Sequence, residues 1–478
     1  MQHTASSGHG LGPHMKHIAQ QAWPVLIASW AGVAFAVIDT AMGGHAGALD
    51  LQIMALATSI YVTVFVGLMG VIHALIPILA QHFGAGQLHE VGRMWGQGVW
   101  LAAALCLVGC AFLLAPDLWL SVSGDIGPEV RDGVRDYLSA LALALPAALA
   151  FRAIYALATA VSRPRTVMEI YVAGIFVKLF FNWVFIFGHL GAPAMGATGA
   201  GLSTAVVSWI MLAAGLARVL RDPWYRRFSP QLGRPNWREQ AELLRLGIPM
   251  GGSYLIEVGA FTFMALLAAR DGMYVTGAHQ IMANLAALCY MVPMALGVAT
   301  ASLTAQAIGA RDPALARRNG RAGITLVVAA ALITALAIVL GRDPILRLYT
   351  DDPQVIAMAI LLLTLLPFFH MGDALQCIGC YLLRAYKVTV VPLLMQIVAL
   401  TGVGLTGGWW LGFGPGRGAL AGLIETLIPG APPGTSTMWI MSTVGLLLSA
   451  SLLFLWYGYV LRRHARPVGT PEDQAALR

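Results

Sequence analysis

Long apolar runs broken by short charged segments dominate this chain. Twelve runs can be drawn, at roughly 17–41, 51–77, 94–116, 135–159, 168–188, 196–219, 243–269, 277–305, 322–341, 354–383, 389–412 and 438–461. Each is long enough to cross a bilayer, since about 20 apolar residues at 1.5 Å per residue span the hydrocarbon core. Composition agrees. Of 478 residues, 58% are hydrophobic and 11% charged, against about 25% charged in a soluble domain. The five cysteines all fall inside apolar runs, so disulfides are not implied, and Cys377-x-x-Cys380 reads as packing. Met1 to His14 is polar and predicts no signal peptide.

The runs fall into two similar halves. Gln52-Ile-Met-Ala in the second run recurs as Gln280-Ile-Met-Ala in the eighth. Pro24 and Pro249, Gln81 and Gln306, and Gly84 and Gly309 share one offset of 225 residues. Six helices per half is an even number, so both halves enter the membrane the same way round. The predicted fold is an all-α polytopic membrane protein of twelve transmembrane helices in two parallel six-helix lobes. The segments are a tail at 1–16, an amino lobe at 17–220, a polar linker at 221–242, a carboxy lobe at 243–462 and a tail at 463–478.

Charge orients the chain. Arg93, Arg163, Arg165, the linker arginines, Arg311, Arg317, Arg318, Arg321, Arg384 and Lys387 lie on one side, with Lys16, Arg462, Arg463 and Arg466 in the tails. The opposite loops hold few basic residues, interleaved with Asp125, Asp132, Asp136, Asp271 and Asp351. The positive-inside rule then makes both termini and the linker cytoplasmic in a cell (inner) membrane. A net charge of +7 spread over loops in this way is topogenic and implies no nucleic-acid partner.

A few ionisable groups sit inside the runs, where they mark ion or substrate paths. Asp39 ends the first run, with an interfacial position as the lesser alternative to a functional acid; Glu257 lies in the middle of the seventh and Asp373 in the tenth. Pro367 and Gly372 weaken the helical ladder beside Asp373, leaving carbonyls to face a cation. His370, one turn before Asp373, either relays protons or packs as a neutral imidazole. Tyr254 and Phe261 share a helical face with Glu257, and aromatic faces beside a carboxylate suit organic cations, though ordinary helix packing also explains them. Lys178 and Asn182, four residues apart, share a face of the fifth run. A buried lysine needs a counter-ion, for which Asp39 is the candidate, unless the lysine snorkels to an interface. Such a pair could serve as a protonation switch. Arg152, in the fourth run, is a second basic group at depth. No His-Glu-x-x-His or Gly-x-Ser-x-Gly motif occurs, so no enzyme is expected.

Taken together these residues resemble the MATE (multidrug and toxic compound extrusion) transporters, NorM-like branch. The resemblance runs from Ile18 to Leu461 and rests on Asp39-Thr-x-Met-x-Gly, Gln81-x-x-Gly84-Ala-Gly86, Arg163-Pro164, Asn182-Trp183, Gly247-x-Pro249, Gln280-Ile and Gln306-x-x-Gly309. It implies a two-lobed, monomeric antiporter without a cofactor, exporting bulky, often cationic compounds or drugs against an inward Na⁺ or H⁺ gradient. By position, Asp39 matches the amino-lobe acid, Glu257 and Asp373 match the carboxy-lobe acids where Na⁺ could bind, and Asn182 matches an amide near Asp39. The substrate-contacting set expected is Asp39, Tyr254, Phe261, Gln280, Asn284 and Phe369, with Lys178, Asn182 and His370 in support. Lys178 stands where the family usually has a second amide, and its fixed positive charge competes with sodium for Asp39. Phe369 stands where some relatives place a tyrosine. The Gly- and Pro-rich stretch 423–436 departs from the pattern. A related flippase of lipid-linked precursors is the alternative, and it would need a cationic cavity for pyrophosphate.

Overall fold

The computed structural model describes residues 10–120 and 127–464. Asp125, Arg466 and most of the two tails lie outside them. In chain order the helices are α1 (Gly12–Ala46), α2 (Ala48–Ile72), α3 (Leu75–Gly84), α4 (Leu88–Leu113), α5 (Pro116–Leu120), α6 (Pro128–Ala160), α7 (Arg165–Phe187), α8 (Gly196–Arg221) and α9 (Pro223–Arg226). They continue with α10 (Trp237–Ala268), α11 (Met273–Gly309), α12 (Pro313–Tyr349), α13 (Pro353–Leu363), α14 (Leu366–Ala385), α15 (Val390–Gln396), a π-helical stretch (Ile397–Thr406), α16 (Gly407–Gly412), α17 (Ala421–Leu427) and α18 (Pro433–His464). No strand occurs among the described residues.

Among those residues, 11 helices are long and apolar enough to cross a membrane. The twelfth crossing exists if α13 and α14, which meet at a 50° bend, count as one. Proline explains the break: the ring of Pro367 would clash with the carbonyl four residues earlier, and α13 stops there, at Leu363. Pro367 sits instead in the first turn of α14, where its missing N–H costs nothing.

The chain divides into two compact units, Ala19–Phe263 and the remainder from Met264, to which the start of α1 up to Ile18 belongs. Within the latter, His14 Nδ1 lies 3.0 Å from Asn319 Oδ1 on α12. The boundary thus falls inside α10, later than the polar linker. Small residues account for this. Gly247 and Gly251 of α10 lie against α2, and a Cβ on Gly70 would come within 2.6 Å of the Gly251 Cα. Such close backbone approach is how membrane helices associate without a hydrophobic driving force.

The linker is docked against α4. A Cβ at Gly92 would overlap the Phe228 carbonyl, and one at Gly96 the Gln231 carbonyl. Between them and the linker stands Gln97, which donates to the Arg234 carbonyl at 2.9 Å and accepts from the Asn236 N–H at 2.8 Å. Gln240 donates to the Gln97 carbonyl at 2.9 Å, and Arg93 bridges Glu90 and Glu239.

Each unit repeats one capping device. In the first, Asp50 Oδ1 accepts the Ala197 N–H at 2.7 Å at the start of α8. The residue before it, Gly196, has φ +51° and leaves no room for a Cβ beside that carboxylate. In the second, Asp271 Oδ2 accepts the Thr435 N–H at 2.6 Å and its hydroxyl at 2.7 Å at the start of α18. Again a glycine precedes, and a Cβ on Gly434 would come within 2.7 Å of that oxygen. The carboxylates satisfy N–H groups that a helix start leaves unpaired, at its positive end. The end of the Gly- and Pro-rich stretch, where it enters α18, therefore has a structural purpose.

Candidate site in the Ala19–Phe263 unit

A cavity of about 630 Å³ lies within the Ala19–Phe263 unit, walled by α1, α2, α6, α7, α8 and α10. Its lining is mostly apolar and aromatic, with Phe35, Tyr61, Phe65, Tyr137, Phe151 and Tyr171 contributing rings. Tyr171 stacks on Phe35 at 6.0 Å between centroids and meets Phe151 edge-on at 5.7 Å. Asp39 and Arg152 are the charged groups in the wall.

Asp39 is held by α7. Lys178 Nζ lies 2.8 Å from Asp39 Oδ1, with 2% of the lysine side chain and 16% of the aspartate side chain exposed. Asn182, one turn further along, donates its Nδ2 to the same oxygen at 2.8 Å. Behind the pair, Lys178 Nζ also donates to Thr204 Oγ1 at 2.5 Å and to the Ala200 carbonyl at 3.3 Å. The Thr204 hydroxyl itself donates to the Ala200 carbonyl at 3.0 Å. The ammonium therefore spends its three donors on one carboxylate and two oxygens of α8, the arrangement that makes a buried charge tolerable. Lys178 pairs with Asp39 and does not snorkel. Asp39 still reaches the cavity, but its charge is matched.

Other expected residues fall elsewhere. Tyr254, on α10, is buried with its hydroxyl 3.5 Å from His73 Nδ1. Glu257 is half-buried on α10, next to Val258 of the cavity wall, and Phe261 is half-buried a turn later. In the unit from Met264 onward, Asp373 is half-buried on α14. Phe369 is buried and meets Trp439 edge-on at 4.9 Å between centroids. His370 is 1% exposed, and neither ring nitrogen has a hydrogen-bond partner among the described residues. It makes no bond to Asp373 and offers no relay in this arrangement. Gln280 and Asn284 are exposed on α11, with the Gln280 amide donating to Asn284 Oδ1 at 3.5 Å.

Sequence reasoning passed over Thr204 and the aromatic wall from α2. The wall had a signal in the four-residue spacing of Tyr61 and Phe65, whose rings stack at 5.6 Å. Thr204 had none, because a threonine among small apolar residues is ordinary in a membrane helix.

Membrane-crossing helices repeated in two halves, with a charged, aromatic-walled cavity inside the Ala19–Phe263 unit, fit a membrane transporter, and this is a multi-pass membrane protein. The chain belongs to the MatE family, whose profile matches residues 24–184 and again 249–410, in its NorM-like branch. The two matches begin at Pro24 and Pro249, the prolines that mark the internal repeat. The chain is 38% identical over 452 residues to the "Probable multidrug resistance protein NorM" of Aromatoleum aromaticum, covering 94% of this chain and 95% of that protein. It is 32% identical over 438 residues to the multidrug resistance protein NorM of Vibrio vulnificus, covering 90% and 92%. Among solved structures it is similar to the eukaryotic MATE transporter AtDTX14, with a TM-score of 0.83 at 18% identity over 95% of this chain and 98% of that one. It is also similar to the Vibrio cholerae MATE transporter VcmN in the bent form, with a TM-score of 0.82 at 18% identity over 95% and 98%.

Proposed function

We propose that this protein is a secondary active multidrug efflux antiporter of the cell (inner) membrane, monomeric and with both termini cytoplasmic. It exports bulky organic compounds, cations among them, in exchange for Na⁺ or H⁺. The names of the relatives support efflux, and the Lys and Arg distribution supports the orientation. The observation that carries the coupling is the carboxylate of Asp39, which is exposed to the cavity while its charge is held by Lys178 2.8 Å away.

A proton suits this site better than sodium. The positions around Asp39 Oδ1 that a sodium ion would take hold an ammonium and an amide. A proton placed on Asp39 removes the negative charge and frees the ammonium, which keeps its contacts to Thr204 and Ala200. A buried lysine cannot stay charged without a partner at little cost, so α1 and α7 repack. Loading the ion and loading the substrate thus act on one wall. Glu257 and Asp373 each carry a coupling role of their own, taking Na⁺ or H⁺. A flippase of lipid-linked precursors would need several unmatched cations for a pyrophosphate, whereas Arg152 alone supplies one among the described wall residues.

Efflux of ethidium from proteoliposomes tests the reading. Asp39→Asn and Asp373→Asn should each lose most gradient-driven efflux, whereas an Asp373→Asn protein with full efflux and full ion coupling would remove that residue from the scheme.

A further inference from the structure

One end of the Ala19–Phe263 unit carries charge that transport leaves unused. Arg163 and Arg165 flank the start of α7, Arg218 and Arg221 lie in the last turn of α8, and Arg226 and Arg227 close α9. Two carboxylates answer these arginines: Asp222, 3.7 Å from Arg163, and Glu169, 2.9 Å from Arg218. Arg165, Arg221, Arg226 and Arg227 pair with no carboxylate among the described residues.

The segment that presents them is fixed in place. Tyr225 and Phe228 are buried. The Tyr225 hydroxyl donates to Thr166 Oγ1 of α7 at 3.4 Å, and Asp222 Oδ1 accepts the Trp224 N–H at 2.9 Å. Two guanidiniums meet the Trp224 ring, with Arg163 Cζ 4.4 Å and Arg227 Cζ 3.6 Å from its centroid. The two carbons are therefore no more than 8.0 Å apart. A phosphate held by a guanidinium fork keeps its phosphorus about 4 Å from the central carbon, so both groups can reach one phosphate. Cation–π contact steadies the pair but gives their N–H donors no acceptor, and 3.7 Å to Asp222 is longer than a hydrogen bond.

The surroundings distinguish a lipid from a soluble anion. Arg165 Cζ lies 5.4 Å from the Trp23 ring on α1. Trp23 is exposed, and so is Leu220, next to Arg221. Exposed tryptophan and leucine beside arginines mark the boundary between headgroups and acyl chains. A soluble phosphate has no use for that apolar surface.

We propose that this face binds an anionic phospholipid, with the phosphate shared by Arg163 and Arg227 at the edge of Trp224 and the acyl chains along Trp23 and Leu220. The site lies outside the cavity and does not depend on what the protein exports.

Native mass spectrometry of the full-length protein, titrated in detergent with phosphatidylglycerol or with phosphatidylcholine of the same chains, tests it. Wild type should bind phosphatidylglycerol at least about tenfold more tightly. Arg163→Gln/Arg227→Gln should weaken phosphatidylglycerol about thirtyfold, since each arginine at an anionic surface is worth about fivefold, and should leave phosphatidylcholine unchanged. Arg163→Lys/Arg227→Lys keeps the charge and loses the planar fork, and should fall between. Arg318→Gln/Arg462→Gln removes two exposed arginines elsewhere and should bind as wild type does.

Equal wild-type affinity for the two lipids overturns the proposal, as does a loss within about threefold in Arg163→Gln/Arg227→Gln. An equal loss in Arg318→Gln/Arg462→Gln overturns it too, by making the preference one of general surface charge. Weakening of both lipids together, with a lowered unfolding midpoint, would make the arginine pair merely structural and has the same consequence. Displacement of phosphatidylglycerol by millimolar inorganic phosphate or by hexaglutamate would assign the arginines to a soluble anion or an acidic peptide, and overturns the lipid.

Discussion

Asp39 and Lys178 are each poorly suited to a membrane interior alone, and together they are tolerable. Removing one partner of a buried pair leaves an unmatched charge and costs about 3–5 kcal/mol. Lys178→Met should therefore lower stability by about that amount, read as loss of thermal or denaturant resistance in detergent. The Asp39→Asn/Lys178→Met double variant should recover most of it, because no charge is then left over. A single Lys178→Met protein that unfolds with wild type would mean that the 2.8 Å contact adds nothing. At this scale the sequence was informative wherever spacing along one helix carried the message. Lys178 and Asn182 are one turn apart and share a face, and the need of a buried lysine for a counter-ion in the same half pointed to Asp39. It was silent on Thr204 and on the rings beside Arg152, because which side chains meet across helices depends on crossing geometry that no single segment encodes.

Among elements, the spans were readable from length and hydropathy, and a weak point in the tenth from Pro367, whereas α14 runs unbroken through Gly372 and Asp373. The docking of the linker was not. Its arginines read as topogenic charge, while its attachment depends on Gly92, Gly96 and Gln97 of α4 meeting backbone carbonyls. Gly92→Val and Gly96→Val should displace the linker and free its backbone around the exposed Arg226, Arg227 and Arg234 for faster limited trypsinolysis. Gly458→Val, where a Cβ meets nothing within 4 Å, should leave the digestion pattern as in wild type. Equal digestion of all three variants would contradict the docking. The capping carboxylates make a second test. Asp50→Ala and Asp271→Ala should each cost about 1 kcal/mol, the ordinary worth of a helix cap, measured as a shift in unfolding midpoint. The Asp271 variant should suffer more, since its carboxylate accepts two bonds from Thr435. No loss in either variant would mean that these contacts are incidental.

For the whole molecule, the internal repeat was legible as landmarks 225 residues apart, and the family profile meets the chain twice from the same two prolines. The position of the compact-unit boundary was not legible. A polar linker marks where charge concentrates, whereas the units are defined by packing, and α10 packs on α2 through glycines. The central claim concerns what drives transport, and it turns on an ammonium occupying the place beside Asp39 where a sodium ion would bind. The most direct measurement is ethidium efflux from proteoliposomes under a proton gradient without sodium and under a sodium gradient without a pH difference, for wild type and Asp39→Asn. The account predicts that the proton gradient alone drives efflux and that Asp39→Asn slows it at least about tenfold, the loss of one charge-assisted step. Absent efflux under the proton gradient, or an Asp39→Asn protein as fast as wild type under it, would contradict the account.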